Sequence, residues 1–280
     1  MITGLDHVVV LVADLDAAVA SYQTLFGCEP SWRSRGEGAA TVLFTLPNTT
    51  LELMAPAGDG ETAARIRAVL VAQGEGLASL CFRTDDITKM HRRLDRVALK
   101  PDAIAVIESH DLDGRGVLSW KRTRAATDAT RGVRQFFLEL TRPRPWSTVS
   151  RTAPVIGLDH IVVATQDPER AAALYGARLG LDMALDRSHP DWGQLMFFRC
   201  GDLIVEIMHR PDATAEPTRD KLWGLSWRVA DAEATRARLV AAGVDVSAIR
   251  NGRKPGTRVM SLRGGSCGVP TLLVERTAKA

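Results

Sequence analysis

The sequence predicts an α+β protein in which one domain occurs twice. The segment GLDHVVV at residues 4–10 recurs as GLDHIVV at residues 157–163, a shift of 153 positions (160 − 7). Each copy is followed by an alanine-rich stretch with helical spacing and then by short β-branched and apolar runs typical of strands. The chain has 280 residues, which suits two ordinary domains. A repeat of this length indicates tandem copies of one fold.

The order of the predicted elements is the same in both halves. In the first half, a strand that begins at His7 leads to a helix that Asp14 caps and Gly27 ends. Two strands follow, then a polar helical segment at 61–73, and then a second run of strand, helix and strands. The second half repeats this order. Each half is therefore predicted to consist of two βαβββ units. The predicted strands of the first half are 7–12, 41–46, 51–54, 77–83, 103–108, 116–121 and 133–140.

A linker is predicted between the halves. The stretch Thr141–Pro154 has three prolines and neither helical nor strand periodicity. The predicted domains are thus 1–142 and 155–280, joined by 143–154. Two ways of pairing the units stay open. Consecutive units could share one cleft per half, or the first could pair with the fourth and the second with the third, which would bring Glu275 to His7 and Glu52.

Composition excludes several classes of function. Hydrophobic residues make up 45% of the chain and charged residues 25%, as in soluble globular proteins. A net charge of +3 with scattered basic residues is too small to indicate nucleic-acid binding. No apolar run approaches the roughly 20 residues of a membrane helix. One local cluster is basic, and it is expected to be a solvated loop or to attract an anionic substrate: Lys121, Arg122, Arg124 and Arg131.

The cysteines indicate a reducing compartment. The chain has four, and none forms a Cys-x-x-Cys pair, which argues against a zinc knuckle or a redox motif. The first residues enter a strand pattern without a basic and then apolar leader, so no signal peptide is expected. The expected location is the cytoplasm.

Three features together resemble a known superfamily. They are the Leu-Asp-His-Val-Val-Val strand that contains His7, the capped helix that ends in Leu-Phe-Gly, and the Leu-Glu-Leu strand that contains Glu52. This pattern resembles the vicinal oxygen chelate superfamily, which includes glyoxalase I, methylmalonyl-CoA epimerase, extradiol dioxygenases and bleomycin-resistance proteins. The resemblance covers nearly all of the chain outside the linker. It implies that the two βαβββ modules of each half form an open, curved mixed sheet around a cleft that holds a divalent metal in the enzymes.

The resemblance also implies which residues form the site. Lyases and epimerases of the superfamily use one position on the first strand and one on the last strand of each unit. Carried over to this chain, those positions are His7, Glu52, about Ser79 and Glu139 in the first half, and His160, Glu206, about Gly224 and Glu275 in the second. The two histidines and four glutamates are therefore the candidate metal ligands, and the glutamates are also the candidate catalytic residues.

Both halves depart from the superfamily pattern at one position. Its lyases have histidine where this chain has Ser79 and Gly224. Extradiol dioxygenases need two histidines and a carboxylate for Fe(II), so that reaction is the least expected. One histidine, two glutamates and water could still hold a divalent ion such as Ni, Zn, Mn or Fe(II).

The candidate residues also have ordinary structural explanations. A lone histidine in an apolar strand is usually satisfied by a hydrogen bond. Alternation places the strand glutamates on the face opposite their leucine neighbours, which is either the cleft or the solvent. The resemblance favours the cleft.

Two functions of different classes follow from these residues. The first is a metal-dependent lyase or isomerase, in which the metal chelates two neighbouring oxygens of the substrate while a strand glutamate moves a proton. The alternative is a metal-free protein that sequesters a small molecule, as bleomycin-resistance proteins do, and it would need no cofactor. The expected partner is a small-molecule substrate or ligand, not nucleic acid or a membrane. A homodimer is left open.

Overall fold

The computed structural model describes residues 1–36, 38–191, 193–209 and 219–276. Each half forms one eight-stranded mixed sheet. The elements of the first half are β1 Ile2–Leu11, α1 Leu15–Phe26, β2 Trp32–Gly36, β3 Ala39–Thr45, β4 Thr50–Pro56, α2 Glu61–Gln73, β5 Gly76–Thr84, α3 Ile87–Arg96, β6 Ala105–His110, β7 Val117–Arg124 and β8 Arg134–Leu140. Those of the second half are β9 Val155–Thr165, α4 Pro168–Ala172 with a π-helical continuation Ala173–Arg178, β10 Asp182–His189, β11 Gly193–Cys200, β12 Leu203–His209, β13 Lys221–Val229, α5 Ala232–Ala241, β14 Arg250–Asn251, β15 Thr257–Leu262 and β16 Thr271–Arg276.

Strand pairing joins consecutive units. The first sheet has the order β2-β3-β4-β1-β5-β8-β7-β6, and the second has β10-β11-β12-β9-β13-β16-β15-β14. In each sheet the first strands of the two units are the central antiparallel pair, and each is parallel to the last strand of its own unit. The predicted α+β class with two βαβββ units per half is confirmed. Among the described strands, no sheet mixes the first unit with the fourth.

The first helix begins and ends where its sequence predicts. The Asp14 carboxylate accepts a hydrogen bond from the backbone N–H of Ala17 at 3.0 Å, as an N-cap does. Gly27 has φ +69°, a left-handed conformation that glycine adopts without strain, and it ends the helix. The helix buries Val19, Tyr22 and its neighbours against the sheet.

The helices, unlike the strands, pair between the halves. Phe26 at the end of α1 lies 4.7 Å, ring centre to ring centre, from Trp227 of β13. Arg238 of α5 donates to backbone carbonyls in the last turn of α1. Arg93 of α3 likewise donates to the carbonyl of Arg178, at the end of the π-helical segment. The first unit therefore packs its helix against the fourth and the second against the third, so a single apolar core spans both halves.

The predicted linker, residues 143–154, packs against the first half. Ser147 and Thr45 exchange two hydrogen bonds between them, each of 3.0 Å. Val149 forms an isolated bridge with Cys28. Arg144 forms an ion pair with Asp6 of β1. These contacts bring a cation of the linker to the strand that contains the first candidate histidine.

Helix α2 lies on the face of the first sheet opposite α1 and α3. Its Ile66 packs with Val9, Leu11 and Leu138, whereas Val8 of β1 belongs to the core under the other helices. Within the ranges described above, no helix is long and apolar enough to cross a membrane.

Candidate functional site

The two sheets each present one concave candidate site, on the face away from the shared helical core. We call the face of the first sheet that contains His7 and Val9 the first cleft. The corresponding face of the second sheet, which contains His160 and Val162, is the second cleft. Strand alternation separates these residues from Val8 and Ile161, which lie in the helical core.

In the first cleft, His7 and Glu52 are in direct contact. The parallel pairing of β1 with β4 places Glu52 opposite Val9, two residues beyond His7. His7 Nε2 lies 3.1 Å from Glu52 Oε2, and His7 Nδ1 lies 2.7 Å from Asp6 Oδ1. The side chains of His7 and Glu52 are only 8% and 15% exposed. Arg144 binds the same carboxylate oxygen of Asp6 as His7 does, so four residues form a continuous chain: Arg144, Asp6, His7 and Glu52.

The charges along this chain stabilise one another. Burial opposes ionisation of Asp6, but Arg144 and His7 hold the pKa of its carboxyl well below the usual range. Burial alone would lower the pKa of His7, whereas its contacts with Cys81, Asp6 and Glu52 raise that pKa well above the usual value. Contacts at both ring nitrogens, with Asp6 and with Glu52, fix the orientation of the imidazole.

The second cleft repeats the arrangement with one difference. His160 Nδ1 lies 3.0 Å from Asp159 Oδ2, and His160 Nε2 lies 3.4 Å from Glu206 Oε2. The Ser226 hydroxyl is closer to that Nε2 than Glu206 is, at 2.7 Å. Burial raises the pKa of Glu206, and the nearby His160 only partly offsets it. Glu206 is thus less tightly engaged by its histidine than Glu52 is.

Glu139 and Glu275 do not face the clefts, so that prediction is wrong. Glu139 accepts a hydrogen bond from the backbone N–H of Ile87, the first residue of α3, at 2.8 Å. Glu275 does the same for Ala232, the first residue of α5, at 3.1 Å. Phe137, two residues before Glu139 and on the same face of β8, lies in the helical core. The two carboxylates bind the N-termini of helices, where unpaired N–H groups and the helix dipole favour them.

Strand register shows which residues take the remaining positions of the first cleft. Val9 pairs with Ser79, and His7 pairs with Cys81 on the antiparallel strand β5. Cys81 in turn pairs with Phe136 on β8. Exchanging the two units places Ser79 at the position of His7 and Cys81 at the position of Val9. Phe136, the partner of Cys81, therefore corresponds to Glu52, the partner of Val9. In the second cleft the corresponding residues are Gly224 and Leu272.

These residues do not form the four-ligand metal centre that the resemblance implies. Each cleft supplies one histidine and one glutamate, and phenylalanine and leucine offer no donor atom at the fourth position. His7 Nδ1 contacts Asp6, as the second nitrogen of a metal-binding histidine often contacts a carboxylate, and His7 Nε2 lies beside Glu52, so these two residues supply two of the four positions. Within the described ranges, no three or more His, Cys, Asp or Glu side chains are placed to hold a metal ion together.

Sequence reasoning missed Asp6, Arg144 and Phe136. Asp6 did leave a signal, because the dipeptide Asp-His recurs at Asp159-His160. A carboxylate that orients a functional histidine is a common arrangement. Arg144 left no signal, because it reaches Asp6 from the linker. Phe136 could have been found only by counting strand register from Cys81.

Comparison with known sequences identifies the same fold in both halves. A family described as "Glyoxalase-like domain" matches residues 5–156. A second, described as "Glyoxalase/Bleomycin resistance protein/Dioxygenase superfamily", matches residues 159–260. An ethylmalonyl-CoA/methylmalonyl-CoA epimerase of Cereibacter sphaeroides is 36% identical to the chain over 96 residues, which cover 34% of this chain and 70% of the epimerase.

Solved structures share the fold at low sequence identity. A mutant of 4-hydroxymandelate synthase from Streptomyces coelicolor superposes with a TM-score of 0.71 and 15% identity, over 100% of this chain and 95% of the synthase. The Mn(II)-bound glyoxalase from Novosphingobium aromaticivorans gives a TM-score of 0.66 and 14% identity, over 98% and 82% of the two chains. With the family matches and the repeated strand order, these likenesses establish the relationship: the chain belongs to the vicinal oxygen chelate superfamily, as a tandem of two glyoxalase-like domains.

Proposed function

We propose that the protein is an isomerase or lyase that moves a proton on a small-molecule substrate in the first cleft, with Glu52 as the base. The observation that carries this proposal is the contact of Glu52 Oε2 with His7 Nε2, at 3.1 Å, in a largely buried site. The similarity to an acyl-CoA epimerase supports it. Epimerisation at a carbon next to a carbonyl requires removal and return of a proton, which is general acid–base chemistry.

The residues of the first cleft have distinct roles in this reaction. Glu52 takes the proton from the acidic carbon through the carboxylate oxygen that His7 leaves free. His7 donates a hydrogen bond to the other oxygen and fixes the plane of the carboxylate. Asp6 and Arg144 are positioning residues, since they hold His7 and touch no substrate. Burial of the pair excludes water and strengthens each of these interactions.

No step of this proposal passes through a metal ion. The superfamily implies a divalent metal, and the compared glyoxalase holds Mn(II). Strand register identifies four positions for metal ligands in the first cleft. His7 and Glu52 occupy two of them, and Ser79 and Phe136 occupy the other two. An ion bound there would have to take most of its ligands from water and substrate, which makes a weak site.

The same two replacements favour a second candidate function. A cleft that has lost its chelating residues could bind a small molecule without transforming it, as the binding proteins of the superfamily do. Ser79 and Phe136, with Gly224 and Leu272 in the second cleft, support this alternative. The two candidates differ in one observable: only the enzyme exchanges a substrate proton with solvent.

The test is proton exchange into deuterated buffer. Methylmalonyl-CoA and ethylmalonyl-CoA would be incubated with the protein, and loss of the α-proton signal followed by NMR. Wild type is expected to exchange the proton, and Glu52→Gln to be slower by about 100-fold or more, the usual contribution of a general base. Glu206→Gln is expected to keep more activity than Glu52→Gln. Glu139→Gln is the matched control, because its carboxylate lies on the other face of the sheet.

Three outcomes of this experiment would contradict the proposal. Exchange that Glu52→Gln leaves unchanged would exclude Glu52 as the base. Binding of either thioester without exchange would favour the binding protein. Stoichiometric metal in protein purified without chelators, lost in His7→Ala, would restore the metal-dependent lyase or isomerase.

A further inference from the structure

The first cleft has a wall of arginine side chains opposite the proposed base. In the pairing of β7 with β8, Arg122 lies opposite Leu138 and Arg124 lies opposite Phe136. Leu138 and Phe136 both pack in the first cleft, so the two arginines share that face. Arg134 precedes Phe136 by two residues on β8 and faces the same way.

Two of these three arginines have no acidic partner among the described residues. Arg124 is paired with Asp102 at 3.0 Å. Within the described ranges, Arg122 and Arg134 form no ion pair, and their guanidinium groups lie 5.0 and 5.7 Å from the centre of the Phe136 ring. Arg134 Nε and Trp120 Nε1 are buried donors without a hydrogen-bond partner. Such donors are rare in folded proteins and indicate a missing acceptor.

Electrostatic repulsion makes the arrangement costly in the absence of a ligand. Burial, together with the positive charges of Arg124, Arg65 and Arg122, lowers the pKa of Arg134. Arg65 belongs to α2, which lies on this face of the sheet. An anion among these arginines would offset both the repulsion and the desolvation.

At the corresponding register positions, the described strands of the second cleft have no arginines. Register places Val259 opposite Val274 and Ser261 opposite Leu272, where the first cleft has Arg122 and Arg124. Pro270 precedes Leu272 by two residues, as Arg134 precedes Phe136. The arginines are therefore a property of one half and not a requirement of the fold.

The wall lies at a distance from Glu52 that suits a substrate with two functional ends. Glu52, Val9, Ser79 and Arg134 are register partners on four adjacent strands. Counted along the sheet, three strand spacings of about 4.8 Å give a path of about 14 Å from Glu52 to Arg134. The straight-line distance is shorter, because the sheet curls until Trp32 of β2 binds Ser109 of β6. A small molecule could thus place an anionic end at the arginines and its acidic carbon at Glu52.

We infer that Arg122 and Arg134, with Trp120 Nε1, bind an oxyanionic group of the substrate, either a carboxylate or a phosphate. Guanidinium groups bind both through paired N–H donors. As a substrate subsite this inference rests on the proposed function. Anion binding can nevertheless be measured without turnover, so the two can fail separately.

The experiment is calorimetric titration of the full chain with inorganic pyrophosphate and, separately, with malonate, at ionic strength matched with sodium chloride. Wild type is expected to bind one anion per chain, and the tighter of the two identifies phosphate or carboxylate. Arg134→Gln and Arg122→Gln are each expected to weaken binding by about 10-fold or more, as for loss of a hydrogen bond to a charged group. Arg263→Gln is the control, because Arg263 pairs with Asp245 on the exposed surface of the second half.

A second measurement covers the case in which a variant folds poorly. Pyrophosphate or malonate is expected to raise the melting temperature of wild type and Arg263→Gln, and to raise that of Arg122→Gln much less. The inference is overturned if neither anion binds better than chloride, or if both arginine variants bind as wild type does. Arginine-dependent binding in a protein that exchanges no proton would support the subsite and contradict only the enzymatic proposal.

Discussion

The Asp6–His7 pair shows how single residues shape the site. Neighbouring residues of a strand normally face opposite sides of the sheet. Pairing of β1 with β5 shifts register between Leu5 and His7, and at this irregularity Asp6 Oδ1 reaches His7 Nδ1 at 2.7 Å. The Asp6 carboxylate is completely buried, and Arg144 compensates its charge. A carboxylate in this position keeps the imidazole oriented toward Glu52.

At this scale we expect Arg144→Met to destabilise the protein by about 3 kcal/mol, because it leaves the buried Asp6 carboxylate without its main cation. Urea denaturation at pH 7 would measure the change. Arg263→Met is the matched control. Its ion pair with Asp245 is more than half exposed on both sides, and its loss should cost less than about 1 kcal/mol. Equal effects of the two substitutions would contradict the buried role of Arg144.

The same substitution has a predictable pH dependence. The pKa of Asp6 is lowered in the folded protein, since Arg144 and His7 outweigh the effect of burial. A lowered carboxyl pKa stabilises the folded state above about pH 4, and this stabilisation is lost as the pH falls through the folded-state pKa. The stability difference between wild type and Arg144→Met should therefore shrink in acid. A difference that grows as the pH falls would be inconsistent with this pair.

At the scale of elements, the same sequence pattern occurs in two strands, and its glutamate lies on opposite faces of the sheet in the two cases. Leu-Glu-Leu occurs in β4 around Glu52 and in β8 around Glu139. In β4 the leucines Leu51 and Leu53 lie in the helical core, which leaves Glu52 in the cleft. In β8 it is Leu138 that faces the cleft, so Glu139 turns toward α3. The alternation of side chains along a strand shows that neighbouring residues lie on opposite faces of the sheet, but not which face is the cleft.

We therefore expect opposite consequences from removing the two charges. Glu139→Gln should lower stability by about 1 kcal/mol, the usual cost of weakening a helix N-terminus, and should leave proton exchange unchanged. Glu52→Gln should slow exchange by about 100-fold or more. Thermal denaturation and the exchange assay on the same two preparations would check this. A Glu139→Gln variant that is stable but inactive would place Glu139 back in the site.

At the scale of the whole molecule, the two halves are joined by their helices. The sheets are built within each half, but Phe26 and Trp227 meet across the boundary, and Arg238 and Arg93 bind helix ends of the opposite half. The proposed domain limits, 1–142 and 155–280, therefore divide the sheets but cut through one apolar core. We expect the halves to unfold together.

Trp227→Ala tests this expectation. Removing a completely buried aromatic side chain should cost about 3–5 kcal/mol, and it should lower the melting temperature of the single transition of both halves. Trp223→Ala, on the same strand but 41% exposed, should cost less than about 1 kcal/mol. Differential scanning calorimetry would show the result, and two separate transitions, with only one lowered, would mean that the halves fold independently.

The sequence by itself determined the class of the fold and the repeat, because strand and helix patterns are local. The resemblance to the superfamily added the candidate residues His7, Glu52, His160 and Glu206, together with Glu139 and Glu275. Only the tertiary structure decided which face Glu139 and Glu275 present, because one residue of register reverses the face of a strand. It also decided what surrounds the site. Arg144 and the arginine wall come from segments far from His7 in sequence, and no local pattern records which distant side chains the folded chain brings together.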